Sequence, residues 1–376
     1  MTFTTSTGSR DADGPEQPAT VTGAVGSLHK AMTGLMVATA LAPLAAFTRK
    51  IPDPVSPLPS ATGRRLGGVV ARLQEASAAA ADGARRGVVP GMRRGSRYLD
   101  RTHRCAAGSR RYKLYLPASR LTRPGGLIVM LHGCNQTPDD FAIGTHMNAL
   151  AEKHGLAIAY PAQSRRRNAA GCWNWFRPAH QVRGMGEPAI LASLTRKLMC
   201  ELGLDRNAVF VAGLSSGGAM AAILADVYPD VFSAAGVHSG MARGAAHNAI
   251  SAMSAMRSGA SGDGATRQAM RRCPVRWIIF QGADDSTVHP SNAAMILAAT
   301  VGDDAMPSRI SNRSAKGRDY ARSDYAGPDG TTRVENWMIE SSGHAWSGGR
   351  AGGSYTDPKG PDASAQMIRF FLAKSA

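Results

Sequence analysis

This 376-residue sequence has no closely spaced cysteines, and its aromatic and acidic residues are few. None of its five cysteines forms a Cys-x-x-Cys pair, which argues against a zinc ribbon or a thioredoxin-like redox site. Aromatic residues make up 6% of the chain, and no zinc-finger, aromatic-stacking or helix-turn-helix pattern accompanies its net charge of +17. We therefore expect a basic soluble protein without a nucleic-acid partner.

The first quarter of the chain lacks the apolar periodicity of a folded domain. Residues 1–23 are small and polar, and residues 50–95 are rich in Pro, Ala, Gly and Arg, which predicts a largely disordered extension over residues 1–95. Between them, residues 31–47 form an apolar run that contains Pro43 and is a poor membrane span. This run has two interpretations, the apolar region of a late secretory signal or a short helix.

From Ser96 onward, short apolar runs alternate with helix-length segments. The runs predict strands at residues 111–116, 127–131, 156–160, 208–212, 233–237, 276–280 and 333–339. The segments between them predict helices at residues 141–154, 188–202, 216–228, 291–301 and 364–374. This alternation predicts an α/β fold, with a mainly parallel sheet and helices on both faces, in one domain over residues 96–376.

A candidate nucleophile follows one of these strands. The strand leads into Gly213-Leu214-Ser215-Ser216-Gly217, a G-x-S-x-G pattern, and an apolar helix comes next. So sharp a turn strains the backbone of the serine, and glycines on either side avoid side-chain clashes. The serine hydroxyl would then project at a helix N-terminus, which favours developing negative charge. We predict Ser215 as the nucleophile; the alternative is a glycine-rich turn with an inert serine.

A serine needs a base, and in this strand–turn–helix arrangement an acid and then a histidine follow it in the chain. His344 lies in a loop after the last predicted strand and is the predicted general base. His289 also lies downstream, but it is close to the next helix and too near the acid in sequence. Asp284 and Asp285 both follow the strand at residues 276–280, and the pattern alone leaves both open as the acid.

Backbone donors for a developing oxyanion are predicted beside the serine. The strand at residues 127–131 ends in His132-Gly133-Cys134, which would bring the amide of Cys134 near the nucleophile. The amide of Ser216, directly after the nucleophile, is the second expected donor. The alternative interpretation of this segment is an ordinary strand-to-helix turn.

Six segments together resemble the PHB depolymerase family of esterases, which is related to feruloyl and acetyl xylan esterases. They are residues 132–136 (HGCNQ), 172–176 (CWNWF), 213–220 (GLSSGGAM), 237–240 (VHSG), 282–288 (GADDSTV) and 343–346 (GHAW). The resemblance implies an α/β-hydrolase fold with no metal or organic cofactor. It favours Asp285 over Asp284 as the third member of the triad, and it supports the amides of Cys134 and Ser216 as the oxyanion hole.

The resemblance also implies which residues meet the substrate. An apolar acyl-binding surface would be formed by Trp173, Trp175, Phe176 and Trp346, although the W-x-W-F loop is equally typical of a buried core corner. His238 follows a strand and could line the site, but a structural histidine is the more ordinary interpretation.

We therefore expect a serine esterase that hydrolyses poly(3-hydroxybutyrate)-type polyesters or their oligomers, in an extracellular setting, with a cytoplasmic one as the alternative. Only 32 residues follow His344, so soluble oligomers or amorphous polymer are expected rather than crystalline polymer. The rivals are a feruloyl or acetyl xylan esterase, a peptidase on the same fold, and a non-catalytic basic binding module. An odd cysteine count leaves at least one thiol free, and the sequence predicts neither the disulfide pairing nor the oligomeric state.

Overall fold

Residues 93–259 and 275–373 are the part of the chain that the computed structural model describes. The expected disordered extension and the apolar run at residues 31–47 lie outside these residues. Both expectations, and the proposed domain boundary at residue 96, therefore stay predictions.

A ten-stranded mixed sheet lies at the centre of the described residues. Its strands are β1 (Arg97–Cys105), β2 (Gly108–Leu116), β3 (Leu127–Leu131), β4 (Ala157–Pro161), β5 (Val209–Leu214), β6 (Ala234–His238), β7 (Arg276–Gly282), β8 (Arg309–Ala315), β9 (Arg318–Ala326) and β10 (Thr332–Ile339). The spatial order is β1-β2-β4-β3-β5-β6-β7-β10-β9-β8. The six central strands, from β4 to β10, pair in parallel, and antiparallel strands flank them on both sides. A two-stranded ribbon, β11 (Trp346–Ser347) and β12 (Thr356–Asp357), is separate.

The central strands are apolar on both faces because helices cover both sides of the sheet. Leu127, Val129 and Leu131 of β3 join one buried cluster, while Ile128 and Met130 of the same strand join the other. Successive side chains of a strand point to opposite faces, so a continuous apolar run is what two covered faces require.

Seven α-helices lie within residues 93–259 and 275–373. They are α1 (Pro138–Thr145), α2 (Met147–His154), α3 (Gly186–Leu202), α4 (Ser216–Val227), α5 (Ala249–Ser258), α6 (Ser291–Val301) and α7 (Ala363–Leu372). Buried residues of α3, α4 and α6 belong to one apolar cluster, and those of α1, α2 and α7 belong to the other. The predicted α/β architecture with helices on both faces is confirmed.

The helix predicted over residues 141–154 is wrong in one respect, because the structure has two helices there. His146 adopts a left-handed conformation with φ 44°, and its N–H donates to the Ile143 carbonyl to end α1. Its Nε2 atom also lies 3.0 Å from Asp362 Oδ2, at the N-terminus of α7. This long-range contact stabilises the break between α1 and α2. The helical pattern of the sequence does not reveal the break, because Asp362 is distant in the chain.

Strands β1, β8 and β9 and helix α5 are absent from the sequence prediction. The outer strand β8 is mostly exposed and reads Arg-Ile-Ser-Asn-Arg-Ser-Ala, so it lacks the apolar run that marks the central strands. Helix α5 begins with a capping box formed by Asn248 and Ser251, but only Ala252 and Ala255 of the helix are buried. No helix among the described residues combines the length and the apolar character that crossing a bilayer requires.

Replacement of a core aromatic residue should test how strongly the sheet and α7 hold each other. Phe210 of β5 is 1% exposed, and its ring stacks on Phe371 of α7 with the centroids 4.9 Å apart. We expect Phe210→Ala to lower the free energy of unfolding by about 3–5 kcal/mol, because it removes buried area and leaves a cavity. Urea unfolding of the purified protein measures this.

The matched control is Ile310→Ala on β8, where the side chain is 63% exposed. This change should alter the free energy of unfolding by no more than about 0.5 kcal/mol. Equal losses in the two variants would contradict the assignment of Phe210 to the core.

Candidate active site

The backbone around Ser215 makes the sharp strand-to-helix turn that the sequence predicted. Ser215 joins β5 to α4 with φ 57° and ψ −120°, an unfavourable conformation for a residue with a side chain. A Cβ atom added at Gly213 would overlap the Gly217 carbonyl, and one added at Gly217 would overlap the Leu131 carbonyl. Only glycine fits these two positions, so the chain can turn here and leave the serine at the start of the helix.

A histidine and an aspartate meet at the ends of two neighbouring strands. Strands β7 and β10 pair in parallel, and the loops that follow them carry Asp285 and His344. His344 Nδ1 lies 2.8 Å from Asp285 Oδ2. Asp285 is 2% exposed, whereas its neighbour Asp284 is exposed to solvent. Of the two aspartates that the pattern left open, Asp285 is therefore the one that reaches the histidine.

The carboxylate of Asp285 is surrounded by donors. Its Oδ1 atom accepts hydrogen bonds from the N–H groups of Thr287 (3.0 Å) and Val288 (2.8 Å), and Gln281 Nε2 lies 3.3 Å from Oδ2. Burial by itself disfavours the charged carboxylate, but the hydrogen bond and charge of His344 and the backbone donor of Val288 outweigh it. The pKa of Asp285 is therefore held below its usual range, so the carboxylate stays ionised beside the imidazole.

His238, at the end of β6, connects the serine turn to the histidine loop. The Ser215 N–H donates to the His238 carbonyl (2.9 Å), and the Ser347 N–H donates to His238 Nε2 (3.1 Å). The His238 ring also stacks on Trp346, with the centroids 5.2 Å apart. Because His238 contacts both Ser215 and the loop that carries His344, these two segments lie at the same edge of the sheet.

The predicted oxyanion segment lies directly beside the serine. Strand β3 pairs in parallel with β5, and a Cβ atom added at Gly133 would lie 3.6 Å from Ser215 Cβ. The Gln163 N–H donates to His132 Nε2 (3.1 Å), so the ring hydrogen lies on Nδ1 and donates to the Gly133 carbonyl (2.8 Å). This bond fixes the peptide plane whose other end is the Cys134 N–H.

A disulfide bond joins Cys134 to Cys172 and ties the oxyanion segment to the loop at residues 172–176. The sequence left the pairing open. Cys105 and Cys200 are free thiols, and Cys273 lies outside the described residues.

The tryptophans predicted to contact substrate are mostly core residues. Trp173, Trp175 and Trp346 are 0%, 4% and 1% exposed. The indole N–H of Trp173 donates to the His132 carbonyl (3.0 Å), and that of Trp346 donates to Ser364 Oγ (3.0 Å). A direct substrate contact by these residues stays a prediction, and their visible role is to pack behind the site.

Sequence reasoning missed Glu187, which positions the loop at residues 172–176. This carboxylate lies in the first turn of α3, is 3% exposed, and accepts hydrogen bonds from the N–H (2.8 Å) and side-chain amide (3.1 Å) of Asn174. Gln163 also donates to Glu187 and, at 2.9 Å, to the Cys172 carbonyl. An acidic residue is ordinary at the start of a helix, so its position in the sequence carried no signal of this second role.

Comparison with known proteins places these segments among esterases. The family model described as Esterase PHB depolymerase matches residues 110–308, slightly more than half of the chain. Poly(3-hydroxyalkanoate) depolymerase C of Paucimonas lemoignei is 28% identical over 236 residues, which are 58% of this chain and 54% of that protein. Feruloyl esterase B of Neurospora crassa is 32% identical over 139 residues, which are 37% of this chain and 46% of that protein. The chain thus spans about half the length of these curated relatives.

A solved structure supports the fold. The acetyl xylan esterase from Aspergillus awamori superposes with a TM-score of 0.55 at 21% identity, over 66% of this chain and 93% of that one. At this identity the likeness concerns the fold alone.

The two buried histidines should make stability depend on pH between neutrality and mild acid. Burial lowers the pKa of His132 to about 4, and burial followed by the charge of His344 lowers the pKa of His238 to about 3, from an ordinary value of 6.5. Below pH 6.5 the unfolded chain binds protons that the folded chain does not, so stability falls as pH falls. Each histidine should lower the free energy of unfolding by about 2 kcal/mol between pH 7 and pH 5.

Denaturant unfolding at the two pH values, for the wild type and for His238→Phe, measures this effect. The phenyl ring can keep the stacking on Trp346 but cannot take a proton. Between pH 7 and pH 5, the free energy of unfolding of the His238→Phe variant should therefore fall by about 2 kcal/mol less than that of the wild type. An equal fall in the free energy of unfolding for the wild type and the variant would contradict a neutral His238.

Proposed function

This chain belongs to the PHB depolymerase family of esterases, and from that premise we propose that it hydrolyses the ester bonds of poly(3-hydroxybutyrate)-type polyesters or their oligomers through a serine acyl-enzyme. The observation that carries the proposal is the convergence of a strained Ser215, at the start of α4, with the His344–Asp285 pair at one edge of the sheet. Ser215 is 7% exposed and the side chain of His344 is 12% exposed, so the group is nearly covered but open to a substrate.

In the proposed reaction His344 is the general base. Its Nδ1 atom is bonded to Asp285, so Nε2 is the nitrogen left to take the hydroxyl proton of Ser215. The serine oxygen attacks the ester carbonyl and forms a tetrahedral intermediate. His344 then gives the proton to the leaving alcohol, and the acyl group remains on Ser215. Water, activated by the same imidazole, releases the acid and restores the serine.

The oxyanion of each tetrahedral intermediate would be bound by the N–H groups of Cys134 and Ser216. Ser216 is the first residue of α4, where a helix leaves N–H groups without partners inside the helix. The Cys134 peptide is held by the His132 bond to the Gly133 carbonyl and by the disulfide to Cys172. Donors fixed in advance stabilise the developing charge without having to reorganise during the reaction.

The acid portion of the ester is assigned to the side of the loop at residues 172–176. The Trp173 N–H lies 3.4 Å from the Oγ atom of Ser216, so this loop contacts the residue directly after Ser215. Trp173, Trp175 and Trp346 are assigned to substrate binding, chiefly as the packed wall behind that surface, and Phe176 is only half-buried. The likeness to feruloyl esterase B keeps plant cell-wall esters as the second candidate substrate class.

Substitution of the nucleophile tests the activity and the substrate together. Ser215→Ala should lower the hydrolysis of soluble 3-hydroxybutyrate oligomers, amorphous polyhydroxybutyrate and p-nitrophenyl butyrate by at least about 10³-fold, because no acyl-enzyme can form. Ser233→Ala is the matched control, since it removes a buried serine hydroxyl at the opposite end of β6. Product release under initial-rate conditions measures all three substrates.

Activity on p-nitrophenyl butyrate and on methyl ferulate or acetylated xylan, without release of 3-hydroxybutyrate, would move the substrate to the cell-wall class. Full activity in Ser215→Ala would overturn the proposed mechanism and favour a binding function.

We also propose an extracellular location for this enzyme. Its support is the Cys134–Cys172 disulfide, because such bonds persist in oxidising compartments and are rare in the cytosol of ordinary cells. Protein recovered from its producing cells and alkylated without reduction should yield a linked peptide containing both cysteines in mass spectrometry. Free, alkylated Cys134 and Cys172 in the native protein would contradict this location.

A further inference from the structure

The chain makes a tight turn after β3 that presents the N–H of Cys134. The Gln136 N–H donates to the Gly133 carbonyl (3.4 Å), and Asn135, the third residue of the turn, has a left-handed conformation with φ 61°. The Asn135 N–H donates to the Ala170 carbonyl (2.7 Å). Among the residues that the structure describes, none accepts a hydrogen bond from the Cys134 N–H, so the turn leaves this group available to a ligand.

The side-chain amide of Gln136 is buried and has a fixed orientation. Its Oε1 atom accepts the Gly133 N–H at 2.8 Å, and its Nε2 atom lies 3.0 Å from the Ser354 carbonyl and 3.1 Å from Asp140 Oδ2. A backbone N–H can only donate and a carbonyl can only accept. The oxygen and nitrogen ends of the amide therefore cannot be exchanged.

Side chains hold both polar groups of Gly133. Gln136 binds its N–H, and the His132 ring donates to its carbonyl at 2.8 Å. Glycine has no side chain to restrict its backbone, and a Cβ atom here would lie only 3.1 Å from Gln136 Oε1 and 3.6 Å from Ser215 Cβ. The peptide that ends in the Cys134 N–H begins at the Gly133 carbonyl. One bond on each side of the Gly133 Cα atom thus fixes the direction of that N–H.

Gln136 also joins the turn to the segment that follows His344. Strand β11 begins just after His344 and pairs with β12, which begins just after Ser354. Asp140, in the first turn of α1, accepts the Ser354 N–H at 2.9 Å and lies against the same Gln136 amide. A single buried side chain therefore links the predicted oxyanion donor to the loop of the predicted base.

We propose that Gln136 is a positioning residue for the oxyanion hole, which fixes the Cys134 N–H and its place relative to the loop of His344. The role rests on the proposed function, since that N–H acts only when a tetrahedral intermediate forms on Ser215. Gln136 does not touch the ester, and no proton passes through it. Because the oxyanion exists only after the serine has attacked, a loosened turn lowers kcat and leaves the binding of substrate unchanged.

The variant Gln136→Leu tests this role, and Gln181→Leu is its matched control. Gln181 is also buried, its Oε1 atom accepts the Gly244 N–H (2.8 Å), and its Nε2 atom donates to the Ala246 carbonyl (2.7 Å). We expect Gln136→Leu to lower kcat on p-nitrophenyl butyrate roughly 30-fold with KM within about twofold, since a misdirected donor costs less than a deleted one. Gln181→Leu should keep both constants within about twofold. Equal kcat losses in the two variants would overturn the proposal.

An inhibitor that forms the oxyanion without turnover separates positioning from general damage. The probe is 1,1,1-trifluoro-2-hexanone. The Ser215 oxygen bonds to its carbonyl carbon, the hydroxyl proton passes to His344, and the carbonyl oxygen becomes the oxyanion. Gln136→Leu should weaken inhibition by about the same factor as kcat, while Gln181→Leu should be inhibited like the wild type. Wild-type inhibition of Gln136→Leu would contradict the positioning role.

A near-isosteric variant covers the case in which Gln136→Leu does not fold. Gln136→Glu keeps an acceptor for the Gly133 N–H but sets an oxygen against the Ser354 carbonyl and the Asp140 carboxylate. It should lower kcat with KM within about twofold. Wild-type kcat in Gln136→Glu would overturn the link between the turn and the loop of His344.

The two proposals fail in different ways. A wild-type protein without Ser215-dependent ester hydrolysis contradicts the proposed function. Hydrogen exchange of the free protein needs no substrate, and the Gly133 amide should exchange at least about tenfold faster in Gln136→Leu than in the wild type or Gln181→Leu. An unchanged exchange rate would contradict the hold of Gln136 on the turn, whatever the activity.

Discussion

The close approach of bare backbone around Ser215 is the constraint on which the rest of the site depends. The turn works because Gly213 and Gly217 allow β5, α4 and the end of β3 to meet without intervening side chains. A Cβ atom on Gly218 would similarly lie 3.1 Å from the His238 carbonyl of β6. The strained serine costs about 1–3 kcal/mol, which the burial of the alanine-rich α4 against the sheet offsets.

Three histidines show how burial assigns different tasks to one residue type. His132 and His238 are buried and neutral, and each receives a backbone N–H on Nε2 and donates from Nδ1. They act as fixed connectors, one beside the segment at residues 132–134 and one between the Ser215 turn and the loop that follows β10. The side chain of His344 is 12% exposed and lies against the Asp285 carboxylate, so it is the one of the three that a substrate could reach.

The sequence was sufficient to predict those parts of the fold and the site where the local pattern and the tertiary structure require the same residues. The central strands need continuous apolar runs, and the turn at Ser215 needs its two glycines, so both could be predicted. The acid could be narrowed to Asp284 or Asp285, but only the fold, or a family resemblance, separates them. The break at His146 and the disulfide partner of Cys134 depend on residues distant in sequence. Strands β1, β8 and β9 were missed because their side chains are mostly exposed or half-buried, so these strands lack a continuous apolar run.

The antiparallel strands at the two ends of the sheet have a consequence for how copies of the chain meet. An outermost strand offers unpaired N–H and C=O groups, which invite pairing with another sheet. Here β1 carries exposed Arg97 and Arg104, and β8 carries exposed Arg309 and Arg313. Edge-to-edge pairing would bring arginine against arginine and remove their water. The arginines on β1 and β8 thus oppose the pairing of these strands between two copies of the chain.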